Sequence, residues 1–181
     1  MSKYRILSLD GGGIRGVLTA RLLERLAAAH PEFLASVDLF AGTSTGALLA
    51  VALAKGRTPA ELVQLYREHG PRIFGHTLLH EIGSLGGFIA AKYSTQQRRE
   101  GIQDIIGDGT LDDLLPKHVL LSSFALDSQN AHAPTPDPPR RWKAKFFHNY
   151  AGPDSDGAQK ALDVVLRSSA ADLFSGLPGL H

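Results

Sequence analysis

The stretch Val37-Asp38-Leu39-Phe40-Ala41-Gly42-Thr43-Ser44-Thr45-Gly46 decides the fold of this chain. Its apolar first half predicts a buried strand, and the alanine- and leucine-rich residues 47–55 predict a helix. Between them lies Gly-x-Ser-x-Gly, in which Gly42 and Gly46 leave room for a sharp turn. A strand, a tight turn and a helix in this order hold a serine hydroxyl above the edge of a sheet. Ser44 is therefore the first candidate for a catalytic nucleophile.

A second glycine-rich turn lies near the N-terminus. Residues 4–10 alternate and are apolar enough for a buried strand, which leads into Gly11-Gly12-Gly13-Ile14-Arg15-Gly16. Leucines at positions 18, 22, 23 and 26 then recur at helical spacing, and we expect them to form the apolar face of a helix. Both turns follow strands of a parallel sheet, so they are expected at the same sheet edge, where ligands bind.

The first glycine run also fits G-x-G-x-x-G, a pattern typical of dinucleotide-binding turns. That fold needs an acidic residue at the carboxyl end of the second strand, where it binds a ribose hydroxyl. Here Asp38 opens the second strand, and the turn at Ser44 occupies its carboxyl end. A dinucleotide site is therefore the weaker interpretation.

Glycine N–H groups at the start of a helix can instead form a cradle for negative charge. Beside a serine nucleophile, Gly11, Gly12 and Gly13 would donate to the oxyanion of an acyl-transfer intermediate, and one such donor is worth about 3 kcal/mol. Two roles stay open for Arg15. It adds positive charge beside the oxyanion or an anionic substrate group, or it makes a surface contact that holds the loop.

The two motifs together resemble those of the patatin-like phospholipase family. Residues 10–16 resemble the family's first motif, and residues 42–46 resemble its second. Residues 119–127 resemble a central strand of the family. Residues 166–174 resemble its Arg-Ala-Ser-Ala-Ala-Pro-x-x-Phe segment, with Asp172 in the place of the proline. The resemblance covers residues 1–181 as a single domain.

This resemblance implies an α/β fold, a three-layer sandwich with a mostly parallel central sheet and helices on both faces. It also implies hydrolysis of lipid acyl esters by a serine–aspartate dyad, without a cofactor or a metal ion. The first motif would supply the oxyanion hole and the second the nucleophile. Five further residues would support the two motifs: Asp10, Arg15, Gly16, Gly42 and Gly46.

The general base is open. In the family, the catalytic aspartate sits in an Asp-Gly-Gly or Asp-Gly-Ala motif beyond the segment that residues 166–174 resemble. Asp156-Gly157-Ala158 has the right letters but lies upstream, in a polar stretch typical of an Asp-Gly turn. Either the aspartate follows residue 181, so that the domain is incomplete at its C-terminus, or a conventional base is missing. Without a base the chain would bind lipid or phosphate and turn it over poorly, because the serine proton needs an acceptor.

A Ser-His-Asp triad is a minor alternative. Ser44, Asp127 and His148 follow the chain order of a hydrolase triad. The chain has eight histidines, however, so such an order is easily met by chance. Isolated histidines are more often structural than catalytic.

A metal site is also weakly indicated. His76 and His80 would share one face of a helix, with Glu81 beside them. The zincin pattern needs glutamate directly after the first histidine, and this chain has Thr77 there. The chain also lacks the cysteines of a structural zinc site. We therefore expect no metal.

Composition limits the partners and the location. The formal net charge of +1 over 181 residues gives no reason to expect nucleic acid as a partner. No apolar run approaches the ~18 residues of a membrane span. The chain has no cysteine, and because its predicted first strand begins at once, we expect no signal peptide. We expect a cytoplasmic protein whose contact with a membrane or micelle surface is peripheral. The oligomeric state stays open.

The rest of the chain predicts further elements. Residues 58–61, Thr-Pro-Ala-Glu, are typical of a capped helix start, and that helix is expected to end at Gly70-Pro71. Residues 94–97 are expected to cap the next helix. A turn and short helix at 108–116 precede the strand at 119, and residues 142–147 predict a strand with exposed cations and buried aromatic side chains.

Overall fold

The computed structural model describes residues 3–74, 87–125 and 143–169 of the chain. Four strands form one sheet in the order β1-β2-β3-β4, and the strands are β1 (Ile6–Leu9), β2 (Leu39–Thr43), β3 (His118–Ala125) and β4 (Lys143–His148). The helices are α1 (Gly16–Ala29), α2 (Thr45–Ala54), α3 (Pro59–Phe74), α4 (Gly87–Ile106) and α5 (Ala161–Ser168), with 3-10 turns at Gly13–Arg15 and Asp112–Leu114. The first three strands are parallel and β4 is antiparallel to β3. The predicted α/β fold with a mostly parallel sheet is confirmed.

One face of the sheet forms the core. Leu9 pairs with Gly42, Gly42 with Leu121, and Leu121 with Phe147, and all four residues are buried. Helix α2 contacts β1, β2 and β3, and its residues from 45 to 53 are all buried. A helix that is apolar all round belongs in such an interior position. The opposite face carries exposed apolar side chains at Ile6 (62% exposed) and Phe146 (53%).

The first helix forms as predicted, but its expected apolar face was wrong. Of the four leucines, only Leu23 is buried, together with Gly16 and Ala20. The other three are exposed: Leu18 (62%), Leu22 (66%) and Leu26 (38%).

Close packing of helices explains this difference. Helix α1 packs against α3, and a Cβ added to Gly16 would lie 2.6 Å from the hydroxyl oxygen of Tyr66. Because the helices approach so closely, the small residues Gly16 and Ala20 face the interior. Leu18, Leu22 and Leu26 point outward, although the helical spacing of the leucines alone does not show which face of the helix is buried.

Helix α3 begins as predicted, with a capping box. The N–H of Thr58 donates to the Glu61 carboxylate at 2.7 Å, and the N–H of Glu61 donates to Thr58 Oγ1 at 3.2 Å. The hydrogen bond from the Thr58 main chain is the largest cause that lowers the pKa of Glu61. The reciprocal bonds satisfy main-chain donors that the first helical turn leaves unpaired.

Two predicted helix boundaries were wrong. Helix α3 continues past Gly70-Pro71 to Phe74, whose ring stacks on Tyr66 with centroids 5.9 Å apart. Gly70 does not end the helix. It lets Ile14 pack closely against α3, since a Cβ at position 70 would lie 2.8 Å from Ile14 Cδ1. Helix α4 already begins at Gly87, ahead of the expected cap at residues 94–97. In both cases tertiary packing overrides a local signal.

Candidate active site

The glycine loop and the serine turn lie side by side at the carboxyl edge of the sheet. Strands β1 and β2 are parallel neighbours, and each leads directly into its turn. A Cβ added to Gly11 would lie 3.1 Å from the Thr43 carbonyl oxygen and 3.3 Å from Ser44 Cβ. The loop therefore passes so close to the serine turn that a side chain at Gly11 would crowd it.

Ser44 holds a strained backbone conformation. It has φ 55° and ψ −119°, and no other non-glycine residue in the described ranges has positive φ. A residue with a Cβ pays about 1–3 kcal/mol for such a conformation, which persists only where the surroundings enforce it. A Cβ on Gly42 would overlap the Gly46 carbonyl group, and a Cβ on Gly46 would overlap the Leu9 carbonyl oxygen. The two glycines are thus required by the close approach of three main-chain segments.

Helix α2 starts directly after this strained residue, which is its N-cap. The Ser44 carbonyl oxygen accepts hydrogen bonds from the N–H groups of Ala47 at 2.9 Å and Leu48 at 3.2 Å. The N-terminal end of a helix carries partial positive charge from its aligned peptide dipoles. Negative charge that develops beside Ser44 would therefore meet a favourable field.

Ser168 ties the strained residue to the sheet. Its Oγ accepts a hydrogen bond from Ser44 N at 2.9 Å and donates one to the Ser122 carbonyl oxygen at 2.6 Å. The side chain is buried, with 6% of the residue exposed. One hydroxyl thus joins the end of α5, the edge of β3 and the turn after β2. This role could not be predicted from the sequence, because both partners of Ser168 are main-chain groups far away in the chain.

The residue after Ser44 belongs to a buried pair of hydroxyls. The hydroxyls of Thr45 and Tyr66 share a hydrogen bond, and burial raises the pKa of Tyr66 to about 12. Gly16 lies against both side chains. The starts of α1 and α2 are therefore held against α3. Tyr66 is another residue whose role the sequence did not show.

A small pocket opens beside the serine. Its described lining residues are three hydroxyl-bearing residues, four apolar residues and one cation: Ser44, Thr45, Ser169, Leu48, Ile73, Phe74, Ile102 and Arg98. No acidic residue is among them. The pocket therefore offers an apolar wall next to the candidate nucleophile, but no general base from the described residues.

The glycine loop keeps its shape through local contacts. Gly13 has φ 58°, a conformation that favours glycine, and it begins a 3-10 turn. Arg15 is exposed, and its Nε donates to the Gly12 carbonyl oxygen at 3.3 Å. This contact matches the second of the two roles considered for Arg15, which is to hold the loop. Asp10 follows directly after β1 and is exposed. A Cβ added to Gly46 would lie 2.8 Å from the carbonyl oxygen of Asp10.

Asp156 lies away from this pocket. Its buried carboxylate accepts hydrogen bonds from Lys145 Nζ at 2.8 Å, Gln159 Nε2 at 2.9 Å and His148 N at 3.3 Å. These partners lie on or after β4, the edge strand. Because β4 is two strands from β2, it is about 10 Å away across the sheet. This arrangement supports the interpretation of Asp156 as a turn residue.

The histidine alternatives find no support at the pocket. His148 lies on β4, where it pairs with Leu120 of β3, and the centroid of its ring is 5.8 Å from that of Tyr150. Its proposed partner Asp127 lies outside the described residues. The predicted positions His76, His80, Glu81 and Asp172 also lie outside them. Within residues 3–74, 87–125 and 143–169, no three histidine, aspartate or glutamate side chains are grouped so that they could hold a metal ion.

The fold and the site define a class of protein: a mostly parallel α/β sheet with a strained strand–serine–helix turn beside a glycine-rich loop. The sequence model of the family described as patatin-like phospholipase matches residues 7–174. The chain therefore belongs to the patatin-like phospholipase family. The resemblance seen in the two motifs is confirmed.

Several curated proteins are similar to this chain. CotR of Bacillus subtilis (strain 168), named as a sporulation hydrolase, is 34% identical over 175 residues, which cover 94% of this chain and 49% of CotR. A cGAMP-activated phospholipase of Pseudomonas aeruginosa is 32% identical over 174 residues, with coverages of 94% and 48%. Patatin-17 of Solanum cardiophyllum is 33% identical over 134 residues, with coverages of 66% and 32%. The chain spans about half the length of the first two.

Proposed function

We propose that this chain carries the nucleophile and the oxyanion hole of a serine hydrolase that cleaves lipid acyl esters, of the phospholipase A or esterase type. One observation carries the proposal: Ser44 is held at φ 55°, and the glycine loop passes so close to it that a Cβ on Gly11 would lie 3.3 Å from Ser44 Cβ. Strain of this kind clusters at functional sites. Membership of the patatin-like phospholipase family supports the same chemistry.

In the proposed reaction, Ser44 Oγ attacks the carbonyl carbon of the ester and loses its proton to a base. The negative charge moves to the carbonyl oxygen, where the N–H groups of Gly11, Gly12 and Gly13 stabilise it. The intermediate then expels the alcohol, which takes up the proton, and leaves an acyl group on Ser44. Water attacks this acyl-enzyme in the second half of the reaction and releases the fatty acid. No cofactor or metal ion takes part in these steps.

We propose that the base is an aspartate placed as in the family, beyond the segment of residues 166–174. Residues 1–181 would then form a single patatin-like domain that continues in a longer protein. The described lining of the pocket supports this, since it contains no acid. The relatives CotR and the cGAMP-activated phospholipase, each about twice the length of the matched region, are compatible with it.

We also propose that the chain is a cytoplasmic protein that meets its substrate at an anionic membrane or micelle surface, through the outward face of α1. Leu18, Leu22 and Leu26 are exposed on this face, and Arg21 and Arg25 are exposed beside them. Apolar side chains flanked by arginines are typical of helices that lie on anionic lipid. Such contact would be peripheral, since no helix among the described residues is long and apolar enough to cross a membrane.

A second candidate function is a lipid- or phosphate-binding module without turnover. The absence of an acid from the described lining of the pocket is equally compatible with this function. A serine without a base keeps little nucleophilicity, so such a chain would bind ester substrates and leave them intact.

Hydrolysis of 4-nitrophenyl butyrate separates the two functions. The protein is expressed at the full length that its gene encodes, as wild type and as Ser44→Ala. The proposed hydrolase loses at least about a hundred-fold in kcat/KM on this substitution, because the covalent intermediate can no longer form. Equal rates for the two proteins would favour the binding module, and circular dichroism confirms that both are folded.

A further inference from the structure

We propose that the outer edge of β1 and the adjoining sheet face opposite α2 form the docking surface for the part of the full-length protein that follows residue 181. In this arrangement a further parallel strand pairs with β1, and the helix that leads to it lies on that face. The inference rests on one part of the proposed function, namely that the domain continues beyond residue 181. It does not depend on the chemistry at Ser44.

The described helices all gather on one side of the sheet. Helix α2 contacts β1, β2 and β3, and each of the other four helices contacts α2. The strand order explains this, because β2 and β3 are each added on the same side of the preceding parallel strand. Right-handed crossovers then place every connecting helix on the same face. The opposite face receives none of the described helices, and we call it the bare face.

The bare face has the composition of a covered surface. It consists of every second strand residue, counted from Ile6, Leu39, His118 and Ala144. None of these positions holds aspartate, glutamate, lysine or arginine. Ile6 is 62% exposed and Phe124 is 55% exposed. Sheets of parallel strands occur almost only where both faces are covered, and a face that meets water is usually polar. The composition therefore indicates a face that is covered in the full-length protein.

The outer edge of β1 pairs with no described strand. The N–H groups of Asp38 and Leu39 both donate to the Arg5 carbonyl oxygen, at 2.9 Å and 3.2 Å, so the Arg5 main chain faces β2. Because successive strand residues direct their main-chain groups to opposite sides, Ile6 and Ser8 direct theirs away from β2. The strand contains no proline and no charged residue. An edge of this kind is a template for another strand.

One occupant satisfies both the edge and the face. A strand added beyond β1 reverses the direction in which the sheet grows, so a right-handed crossover places its helix on the bare face. A second copy of the chain, paired with β1 across a two-fold axis normal to the sheet, would extend the sheet and leave both bare faces uncovered. The match to CotR covers 49% of that protein, so CotR has about as much sequence again outside the matched region. The later part of the same chain therefore fits better than a second copy.

The first experiment identifies the occupant. Full-length protein carries the photo-reactive residue p-benzoylphenylalanine in place of Ile6, and its monomer fraction is irradiated. Cross-linked peptides are then mapped by mass spectrometry, and circular dichroism checks the fold. We expect position 6 to cross-link to residues beyond 181 of the same molecule. The same probe in place of Leu22, an exposed leucine of α1, should give no such product.

The second experiment measures cover with a smaller change. Residues 1–181 contain no cysteine, so a single thiol can be introduced by Ser8→Cys on the bare face. Ser155→Cys is the matched control, because Ser155 is exposed after the end of β4. Any native cysteine beyond residue 181 is replaced by serine. We expect the thiol at position 8 to react with dithionitrobenzoate at least about a hundred-fold more slowly, since a covered thiol reacts only when the structure opens locally.

Neither experiment measures catalysis, so they separate the inference from the proposed hydrolase. A protein that hydrolyses no ester but cross-links position 6 to later residues would support the docking surface and overturn the hydrolase. An active enzyme whose two introduced thiols react equally fast would overturn the docking surface alone. Cross-links from position 6 to a second copy, or only to residues within 1–181, would also overturn it, as would a gene that ends at codon 181.

Discussion

Two units of the molecule share one plan, since β1 with α1 and β2 with α2 each join a strand to a helix through a glycine-rich turn. They differ in what they bury. Helix α2 buries every residue from 45 to 53, whereas α1 buries Gly16, Ala20 and Leu23 and exposes three leucines. The turn before α2 is tight and holds a strained serine, and the loop before α1 is exposed at Gly11.

The difference follows from position in the sheet. Strand β2 lies between β1 and β3, so its turn is surrounded by main chain from both neighbours and by Ser168. Such surroundings can enforce a strained backbone. Among the described residues, strand β1 is at one edge of the sheet, and Gly11 in the loop that follows it is exposed. Similar glycine-rich patterns thus form a strained turn in one place and an exposed loop in the other, and we propose that the first carries the nucleophile and the second the oxyanion hole.

The largest loss of stability is expected from a substitution in the second unit, which β2 and α2 form. In Gly46→Ala, the new Cβ would overlap the Leu9 carbonyl oxygen, so we expect a loss of about 3 kcal/mol or more in the free energy of unfolding. Gly56→Ala is the control: its Cβ meets nothing within 4 Å, so only its φ of +86° should lower stability, by about 1–2 kcal/mol. Urea unfolding followed by circular dichroism measures both. Equal midpoints would contradict this view of the turn.

The next effect tests what holds the strained serine. Ser168→Ala removes the acceptor of the Ser44 N–H and the donor to Ser122, and leaving such buried groups unpaired should cost about 1–3 kcal/mol. We also expect slower ester hydrolysis at unchanged KM, because the serine is less well positioned.

Two further variants make the Ser168 result specific. Ser168→Thr keeps a hydroxyl and should recover part of kcat. Ser36→Ala removes another hydroxyl that donates to a carbonyl, that of Phe33 at 2.7 Å, and it should leave kcat unchanged. If Ser168→Ala lowered stability without any change in kcat, Ser168 would be a structural residue only.

The smallest effect on stability concerns the first unit. Leu18→Gln combined with Leu22→Gln should change the free energy of unfolding by less than about 0.5 kcal/mol per site, because both side chains are exposed. Binding to vesicles that contain phosphatidylglycerol should fall about ten-fold or more, since the buried apolar area is lost. Sedimentation with the vesicles measures it, in the Ser44→Ala background.

Phe146→Gln is the matched control for the α1 face, because Phe146 is a similarly exposed apolar residue on β4. It should bind vesicles like the wild type. A double leucine variant that binds as well as the control, or wild-type protein that forms a dimer through these leucines instead of binding vesicles, would contradict the proposed membrane contact.

Local patterns in the sequence predicted much of the fold. The strands, the turn at Ser44, the cap at Thr58 and the family all follow from short stretches whose chemistry is local. The exposed face of α1 did not, because the choice between Gly16 and Leu18 as the inward residue depends on how closely α3 approaches. The contacts of Ser168 did not either, since they join residues that only the folded sheet brings together. The catalytic roles of Ser44 and of Gly11 to Gly13 stay predictions.

The most direct test of the central claim is labelling of the full-length protein with a fluorophosphonate, followed by mass spectrometry of its peptides. We expect one adduct, on Ser44, and none in a folded Ser44→Ala variant, because an activated hydroxyl beside an oxyanion hole reacts with such probes. A folded wild-type protein that stays unlabelled, or an adduct on another serine, would contradict it.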